Sequence, residues 1–220
     1  MHVTVFDLDD TLYPELSFAR SGLIQVGMEL EERLGCAGIT EALLQTLENG
    51  TRGTIFNEVF PQYDVPNSEI ERCVEQYRNH RPQIELYPDA DTILDKYSHI
   101  AHTAILTDGP VKTQRNKVEA LGLSSRVDEV VYTDDFGRSN WKPSPMAYRY
   151  LVSHFGIAPD QFCYIGDNPE KDFVAARELG WTTIRILRSD AMYERTAPSP
   201  EHKADHVIES FDELTRTWPI

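Results

Sequence analysis

Short apolar runs that each end in a polar residue are the feature that most constrains the fold of this 220-residue chain. A short apolar run indicates a buried strand, and the residue after it is delivered to one edge of a sheet. The runs at 3–6, 104–106 and 162–166 are followed by Asp7, Thr107 and Asp167. If the sheet is parallel, the three strand ends converge in one crevice.

Charged residues near these runs complete the set of groups expected in the crevice. Asp9 follows Asp7 by two positions, and Lys142 lies between the second and third runs. Together with the strand-end residues they provide a pair of carboxylates, a hydroxyl, a cation and a further carboxylate. This set suits phosphoryl transfer assisted by a divalent metal.

The rest of the chain predicts an α/β core that carries a helical insertion. A chain of 220 residues is long for one compact domain and short for two. From about Tyr87 onward, helices and apolar strands alternate, which is typical of a doubly wound parallel sheet. Before that point, apolar residues recur at intervals of three and four, which indicates helices. We expect a core of residues 1–13 and 87–220 and a small all-helical cap of residues 14–86.

Charge and hydropathy limit the partners of this chain. Its net charge of −15 opposes binding to nucleic-acid phosphates and to anionic membranes. No apolar stretch approaches the roughly 20 residues that span a bilayer, and the sequence enters a strand at once without a leader segment. We therefore expect a cytoplasmic protein that acts on a small molecule; the sequence does not predict its oligomeric state.

Asp7 and Asp9 require a counter-ion if they share a crevice with Asp167. Two carboxylates about 4 Å apart repel by about 4 kcal/mol at an effective dielectric constant of about 20. A calcium loop that opens with the same two acids needs Gly and Glu where this chain has Leu12 and Phe18. Oxygen ligands favour magnesium, so we expect Mg²⁺ as the cofactor.

Four short motifs of this sequence resemble those of the haloacid dehalogenase-like (HAD) hydrolase superfamily. They are Asp7-Leu8-Asp9-Asp10-Thr11-Leu12, Thr107-Asp108-Gly109, Lys142-Pro143 and the stretch from Gly166 to Asp172. Each motif is weak alone, but the four occur in the family's order and at fitting spacings over most of the chain. The helical insertion after the first motif is similar to the family's C1-type cap. One departure is Asp108, where the family often has Asn or Gly.

The resemblance implies a Rossmann-like core and a role for each charged residue. Asp7 would attack phosphorus and form an aspartyl-phosphate, and Asp9 would act as general acid and then as general base. Magnesium would be held by Asp7, Asp167 and the backbone carbonyl of Asp9. Lys142 would neutralise the charge of the nucleophile and of the phosphoryl group.

The resemblance also implies phosphate-binding groups and residues that orient the site. Thr107 and the amides of Asp108 and Gly109 would hold phosphate oxygens. The residues expected to orient these groups are Thr11, Asn168 and Asp172. Asp172 has an alternative role, because a helix is predicted to begin at Pro169 and acids favour the first turn of a helix.

The superfamily catalyses several reactions, and the residues favour one of them. Dehalogenases do not need Asp9, phosphonatases need a cap lysine although the first lysine here is Lys96, and P-type ATPases need membrane helices. A phosphatase for a small phosphorylated metabolite, such as a sugar phosphate or nucleotide, is the preferred interpretation. A sugar phosphomutase stays open. A receiver domain, which is a phospho-accepting signalling module, is disfavoured because its phosphorylated Asp ends the third strand.

Substrate choice is expected to depend on the insertion. The loop at 49–53 has glycines on both sides of Arg52. In C1-capped relatives such a loop enters the active site and contacts the leaving group, which makes Arg52 a candidate substrate-binding residue. An arginine solvated on an exposed turn explains the same pattern equally well.

Overall fold

A computed structural model describes residues 2–191 and 196–220, and the chain divides into two compact units. One unit comprises Met1–Glu15 with Glu85–Ile220, and the other comprises Leu16–Ile84. The first unit contains a six-stranded sheet and helices, and the second contains helices only.

The sheet of the first unit is parallel throughout, in the order β3-β2-β1-β4-β5-β6. Its strands are β1 (Val3–Phe6), β2 (His102–Thr107), β3 (Glu129–Tyr132), β4 (Phe162–Gly166), β5 (Thr182–Ile186) and β6 (His206–Ile208). The central strands β1 and β4 are buried along their whole length, which is why they appear in the sequence as continuous apolar runs. The predicted doubly wound parallel sheet is confirmed.

The helical unit contains α1 (Glu15–Leu34, of which Leu16 onward belongs to this unit), α2 (Ile39–Glu48), α3 (Ile55–Val59) and α4 (Ile70–Asn79). Two glycines on α1 allow close packing. A Cβ atom at Gly22 would lie 2.6 Å from the Tyr77 ring, and one at Gly27 would lie 2.5 Å from Thr40 Oγ1. These glycines therefore let α4 and the start of α2 approach the α1 backbone. No helix in residues 2–191 and 196–220 combines the length and the apolar character needed to cross a bilayer.

The helices of the first unit are α5 (Pro88–Ser98), α6 (Val111–Ala120), α7 (Met146–Phe155), α8 (Val174–Glu178) and α9 (Leu214–Thr217). The start of α8 differs from the prediction, because the helix begins at Val174 and not at Pro169. The carbonyl of Asn168 accepts hydrogen bonds from the backbone nitrogens of Lys171 and Asp172. The chain between Asn168 and Asp172 therefore forms a turn after β4, and Asp172 lies before the helix.

Candidate active site

Three parallel strands bring predicted site residues to one edge of the sheet. β1 pairs with β2 on one side and with β4 on the other. Asp7 follows β1 directly, and its backbone nitrogen donates to the carbonyl of Ile165 at 2.8 Å. Thr107 ends β2, and Asp167 follows β4. All three residues therefore lie at the carboxyl edge, where ligands bind in open parallel sheets.

Lys142 is buried among polar partners at this edge. Its Nζ donates to Asp7 Oδ1 at 2.5 Å and to Asp172 Oδ1 at 2.8 Å. It also donates to the hydroxyl of Tyr164 at 2.9 Å. Burial alone would lower the pKa of this ammonium group, but the carboxylates of Asp172 and Asp7 outweigh it and raise the pKa well above 10.5. Lys142 is therefore a fixed positive charge beside Asp7.

Asp7 is a carboxyl group with a strongly perturbed pKa. Burial raises the pKa of Asp7 to about 6, although the attraction of Lys142 opposes the shift. The neighbouring carboxylate of Asp172 adds to the increase. A nucleophile has to be ionised, so a further positive charge near Asp7 would favour its reactive form.

Three buried carboxylates form a cluster that could hold a metal ion. Oxygen atoms of Asp7, Asp167 and Asp172 lie within 4.8 Å of one another. Lys142 bonds to two of these acids, so three carboxylates and one ammonium group leave the cluster negative when all are ionised. Hard oxygen donors in a negatively charged group are the environment that Mg²⁺ prefers. The residues present therefore fit the ion that the sequence predicts.

Asp172 is anchored at both carboxylate oxygens. Oδ1 accepts from Lys142, and Oδ2 accepts from the backbone nitrogen of Asn168 at 2.9 Å. A Cβ atom at position 166 would collide with Asp172 Oδ2, so Gly166 provides the space for this carboxylate. Asp172 thus joins the lysine to the chain after β4, and an orienting role for it stays a prediction. The alternative that placed it in the first turn of a helix is wrong because α8 begins at Val174.

Asp9 lies in a separate set of hydrogen bonds. Its Oδ1 accepts from Lys117 Nζ at 2.6 Å and from the hydroxyl of Tyr13. Its Oδ2 accepts from Gln114 Nε2 at 2.9 Å. Burial alone would raise the pKa of Asp9, but Lys117 and the other donors outweigh it and hold this pKa below 3.8. Asp9 is therefore ionised in this structure.

Gln114 and Lys117 are site residues that the sequence analysis missed. They lie three positions apart on α6, and both are buried. Lysine and glutamine are exposed in most proteins, and the sequence of α6 does not show which side of the helix is buried against the rest of the protein. The sequence shows only that both residues lie, at helical spacing, on the helix that follows the motif at Thr107, and this does not by itself place them at the site.

Thr107 and Asp108 both accept hydrogen bonds from other parts of the site. The Thr107 hydroxyl accepts from Gln114 Nε2 at 2.5 Å. The carboxylate of Asp108 accepts from the Thr133 hydroxyl at 2.6 Å and from the backbone nitrogen of Lys142 at 3.0 Å. Asp108 therefore connects this loop to the segment that carries Lys142. Gly109 has φ = 125°, a conformation that residues with a side chain rarely adopt.

Thr11 is buried beside the site, and its backbone has the clearer role. Among residues 2–191 and 196–220, no hydrogen-bond partner lies within reach of its Oγ1. Its carbonyl accepts from Arg188 Nη2 at 3.0 Å and from Arg188 Nε at 3.3 Å. Arg188 thus fixes the chain that follows the nucleophile motif.

Arg52 belongs to the helical unit and bonds to the end of α2 and to its own loop. Its Nη1 donates to the carbonyl of Leu47 at 2.7 Å and to that of Thr51 at 2.8 Å. These contacts stabilise the turn between α2 and α3. A role for Arg52 toward a substrate stays a prediction.

Known proteins resemble this chain over most of its length. A family model described as "Haloacid dehalogenase-like hydrolase" matches residues 4–186. A glyceraldehyde 3-phosphate phosphatase from Methanocaldococcus jannaschii is 25% identical over 96% of the chain and 93% of that enzyme. A phosphoserine phosphatase from Thermus thermophilus is 29% identical over 73% of the chain and 64% of that enzyme. A magnesium-bound HAD hydrolase from Bacillus subtilis shares the fold with a TM-score of 0.70 and 17% identity, over 100% of this chain and 99% of that one.

Proposed function

Because this chain belongs to the haloacid dehalogenase-like hydrolase family and is an enzyme, we propose that it is a magnesium-dependent phosphatase that forms an aspartyl-phosphate. The observation that carries the proposal is the fully buried ammonium group of Lys142, bonded to Asp7 and Asp172. A lysine is rarely buried without a partner or a function. Here it lies beside a carboxylate that ends a strand, where it would neutralise the charge of an incoming phosphoryl group.

The first half-reaction would transfer the phosphoryl group to Asp7. An oxygen of Asp7 attacks phosphorus, and the bond between phosphorus and the leaving oxygen breaks. The leaving oxygen takes a proton from Asp9. Asp9 is itself negatively charged, and the bound phosphate dianion adds negative charge beside it. This repulsion raises the pKa of the Asp9 carboxyl toward the value that a proton donor needs.

The second half-reaction would release inorganic phosphate. Water attacks phosphorus and gives a proton to Asp9, while the bond between phosphorus and Asp7 breaks. Thr107 and the amides of Asp108 and Gly109 are proposed to hold the phosphate oxygens through both steps. Lys142 stays charged throughout because Asp172 remains its partner.

Asp7 and Asp167 would hold the magnesium ion, together with the backbone carbonyl of Asp9. Asp172 is less suited to this task, since Lys142 and Asn168 already bond to its two oxygens. The ion supplies positive charge that screens the repulsion between Asp7 and a phosphate dianion. The magnesium in the Bacillus subtilis relative supports this choice of ion.

The proposed substrate is a small phosphorylated metabolite. The two curated relatives named above act on glyceraldehyde 3-phosphate and phosphoserine, which are both short phosphate monoesters. The residues at the sheet edge contact only the phosphoryl group in this proposal. Discrimination between leaving groups would therefore come from other parts of the chain.

A panel of phosphate monoesters tests the proposed function. Sugar phosphates, phosphorylated hydroxy acids and nucleotides are incubated with the enzyme, and released phosphate is measured with magnesium and with a chelator. We expect release that needs magnesium and is lost in Asp7→Asn, which is nearly isosteric. Isomerisation of a sugar phosphate without net phosphate release would indicate a mutase. Full activity in Asp7→Asn would refute the covalent mechanism.

A further inference from the structure

The side chain of Lys117 is only 4% exposed, although it lies on a helix that borders the site. Its ammonium nitrogen lies 2.6 Å from Asp9 Oδ1 and 5.9 Å from the centre of the Tyr13 ring. Burying an ammonium group is unfavourable unless a charged partner compensates it. Asp9, the residue proposed to transfer protons, is a charged partner of this ammonium group.

The donors around Asp9 are divided between its two oxygens. Oδ1 accepts from Lys117 and from Tyr13, and Oδ2 accepts from Gln114. In the described part of the chain, Gln114 is the one hydrogen-bond donor to Oδ2. Each carboxylate oxygen has two acceptor positions, so Oδ2 keeps one position for a proton.

Gln114 also connects Asp9 to the proposed phosphate site. Its Nε2 lies 2.9 Å from Asp9 Oδ2 and 2.5 Å from Thr107 Oγ1. An amide nitrogen has two hydrogens, so it donates to both residues at once. Because Thr107 accepts this bond, its own hydroxyl hydrogen is available to a phosphate oxygen.

We propose that Lys117 and Gln114 are positioning residues, which hold Asp9 with Oδ2 toward the leaving oxygen and Thr107 with its hydroxyl hydrogen toward the phosphate. This inference rests on the proposed function and deepens it. The proton on Oδ2 passes to the leaving oxygen as the bond from that oxygen to phosphorus breaks, and Oδ2 later takes a proton from water.

The leaving group distinguishes positioning from a merely structural role. An alkyl phosphate has a poor leaving group, whose departure depends on proton transfer. The leaving group of p-nitrophenyl phosphate is p-nitrophenolate, which departs readily without a proton. We expect Lys117→Met to reduce kcat/KM for the best alkyl phosphate about tenfold or more and kcat/KM for p-nitrophenyl phosphate less than about threefold, because kcat/KM reports the half-reaction in which the leaving group departs. The ratio of the two rates, measured in one sample, does not depend on how much of the protein is folded.

A second variant separates the two positioning residues. Gln114→Met is expected to change the same ratio and to weaken inhibition by inorganic phosphate, because Thr107 loses its partner as well. Lys117→Met should leave inhibition by phosphate within about twofold of wild type. This variant also tests the inference if Lys117→Met does not fold.

Lys112→Met is the matched control, since Lys112 lies on the exposed side of the same helix. It should leave both rates unchanged. An unchanged rate ratio in both site variants would overturn the inference while wild-type phosphatase activity still supports the proposed function. Absence of wild-type turnover on every ester would overturn both.

Discussion

The ammonium nitrogen of Lys142 lies 2.8 Å from Oδ1 of Asp172, and the side chains of both residues are fully buried. Such a pair contributes little net stability compared with apolar residues of the same shape, but it is costly to break. Removing one partner leaves the other charge buried and uncompensated, at a cost of about 3–5 kcal/mol. The stability of this edge of the sheet therefore depends on both residues being present.

Asp172→Ala is expected to lower the free energy of unfolding by about 3 kcal/mol, at the lower end of this range because Lys142 keeps Asp7 as a partner. Urea denaturation followed by circular dichroism measures the change. Asp160→Ala, at an exposed position, is the control and should stay within about 0.5 kcal/mol of wild type. A loss in Asp172→Ala as small as in the control would contradict the prediction.

Gly166→Ala is expected to damage the site through a collision. The added methyl group would overlap Asp172 Oδ2, which cannot move away without losing its bonds to Lys142 and to the Asn168 nitrogen. Overpacking of this kind costs about 1–3 kcal/mol. We expect lower stability together with a large loss of phosphatase activity.

A double-mutant cycle tests whether the collision is the cause. In the combined variant Gly166→Ala and Asp172→Ala, the methyl group no longer meets a carboxylate. The combined loss of stability should therefore be smaller than the sum of the single losses by about 1 kcal/mol or more. Strict additivity would mean that the alanine at position 166 acts elsewhere.

Magnesium is expected to raise the melting temperature by mass action, because the unfolded chain does not assemble the cluster of Asp7, Asp167 and Asp172. At a concentration of about 100 times Kd, the folded state gains about 2.7 kcal/mol. Thermal melts with magnesium and with a chelator measure the shift. Asp167→Asn should reduce the shift strongly, and Asp160→Asn should retain it. The same shift in all three proteins would place the ion elsewhere.

Much of the site could be predicted because strand ends are visible in a sequence. Asp7, Thr107 and Asp167 each follow an apolar run, and parallel pairing of β1, β2 and β4 brings such ends together. The predicted helix start at Pro169 was wrong for a tertiary reason. Lys142 and the backbone nitrogen of Asn168 bond to the carboxylate of Asp172, and these contacts favour a turn where a proline alone suggests a helix.

The bonds around Asp9 could not be predicted, since they depend on which side of α6 is covered. Gln114 and Lys117 are polar residues on a helix, and sequence alone favours their exposure to solvent. Only the position of α6 beside the loop that follows β1 brings their side chains to Asp9. The sequence reveals which residues lie at the end of a strand. It does not reveal side-chain contacts between two different elements.

The carboxylate of Asp89 provides a pH-dependent contribution to stability. It accepts from Arg188 Nη1 at 2.8 Å, from the Phe211 backbone nitrogen at 2.9 Å and from the Ser210 hydroxyl at 3.1 Å. Burial alone would raise the pKa of Asp89, but Arg188 and the other donors outweigh it and hold the pKa below 3.8. Because the folded-state pKa is the lower one, the stabilisation is present above about pH 4 and is lost as the pH falls through the folded-state pKa.

Asp89→Asn is therefore expected to lower the free energy of unfolding by about 2 kcal/mol at pH 7, since hydrogen bonds to a charged group are worth about 1.5–3 kcal/mol. The difference from wild type should shrink as the pH falls below about 4 and through the folded-state pKa, where the wild-type carboxyl also becomes protonated. Urea denaturation at several pH values from 7 downward measures the difference, with Asp160→Asn as the control. A difference that stays constant with pH would mean that the shape of the side chain, and not its charge, supports the contacts with Arg188 and Phe211.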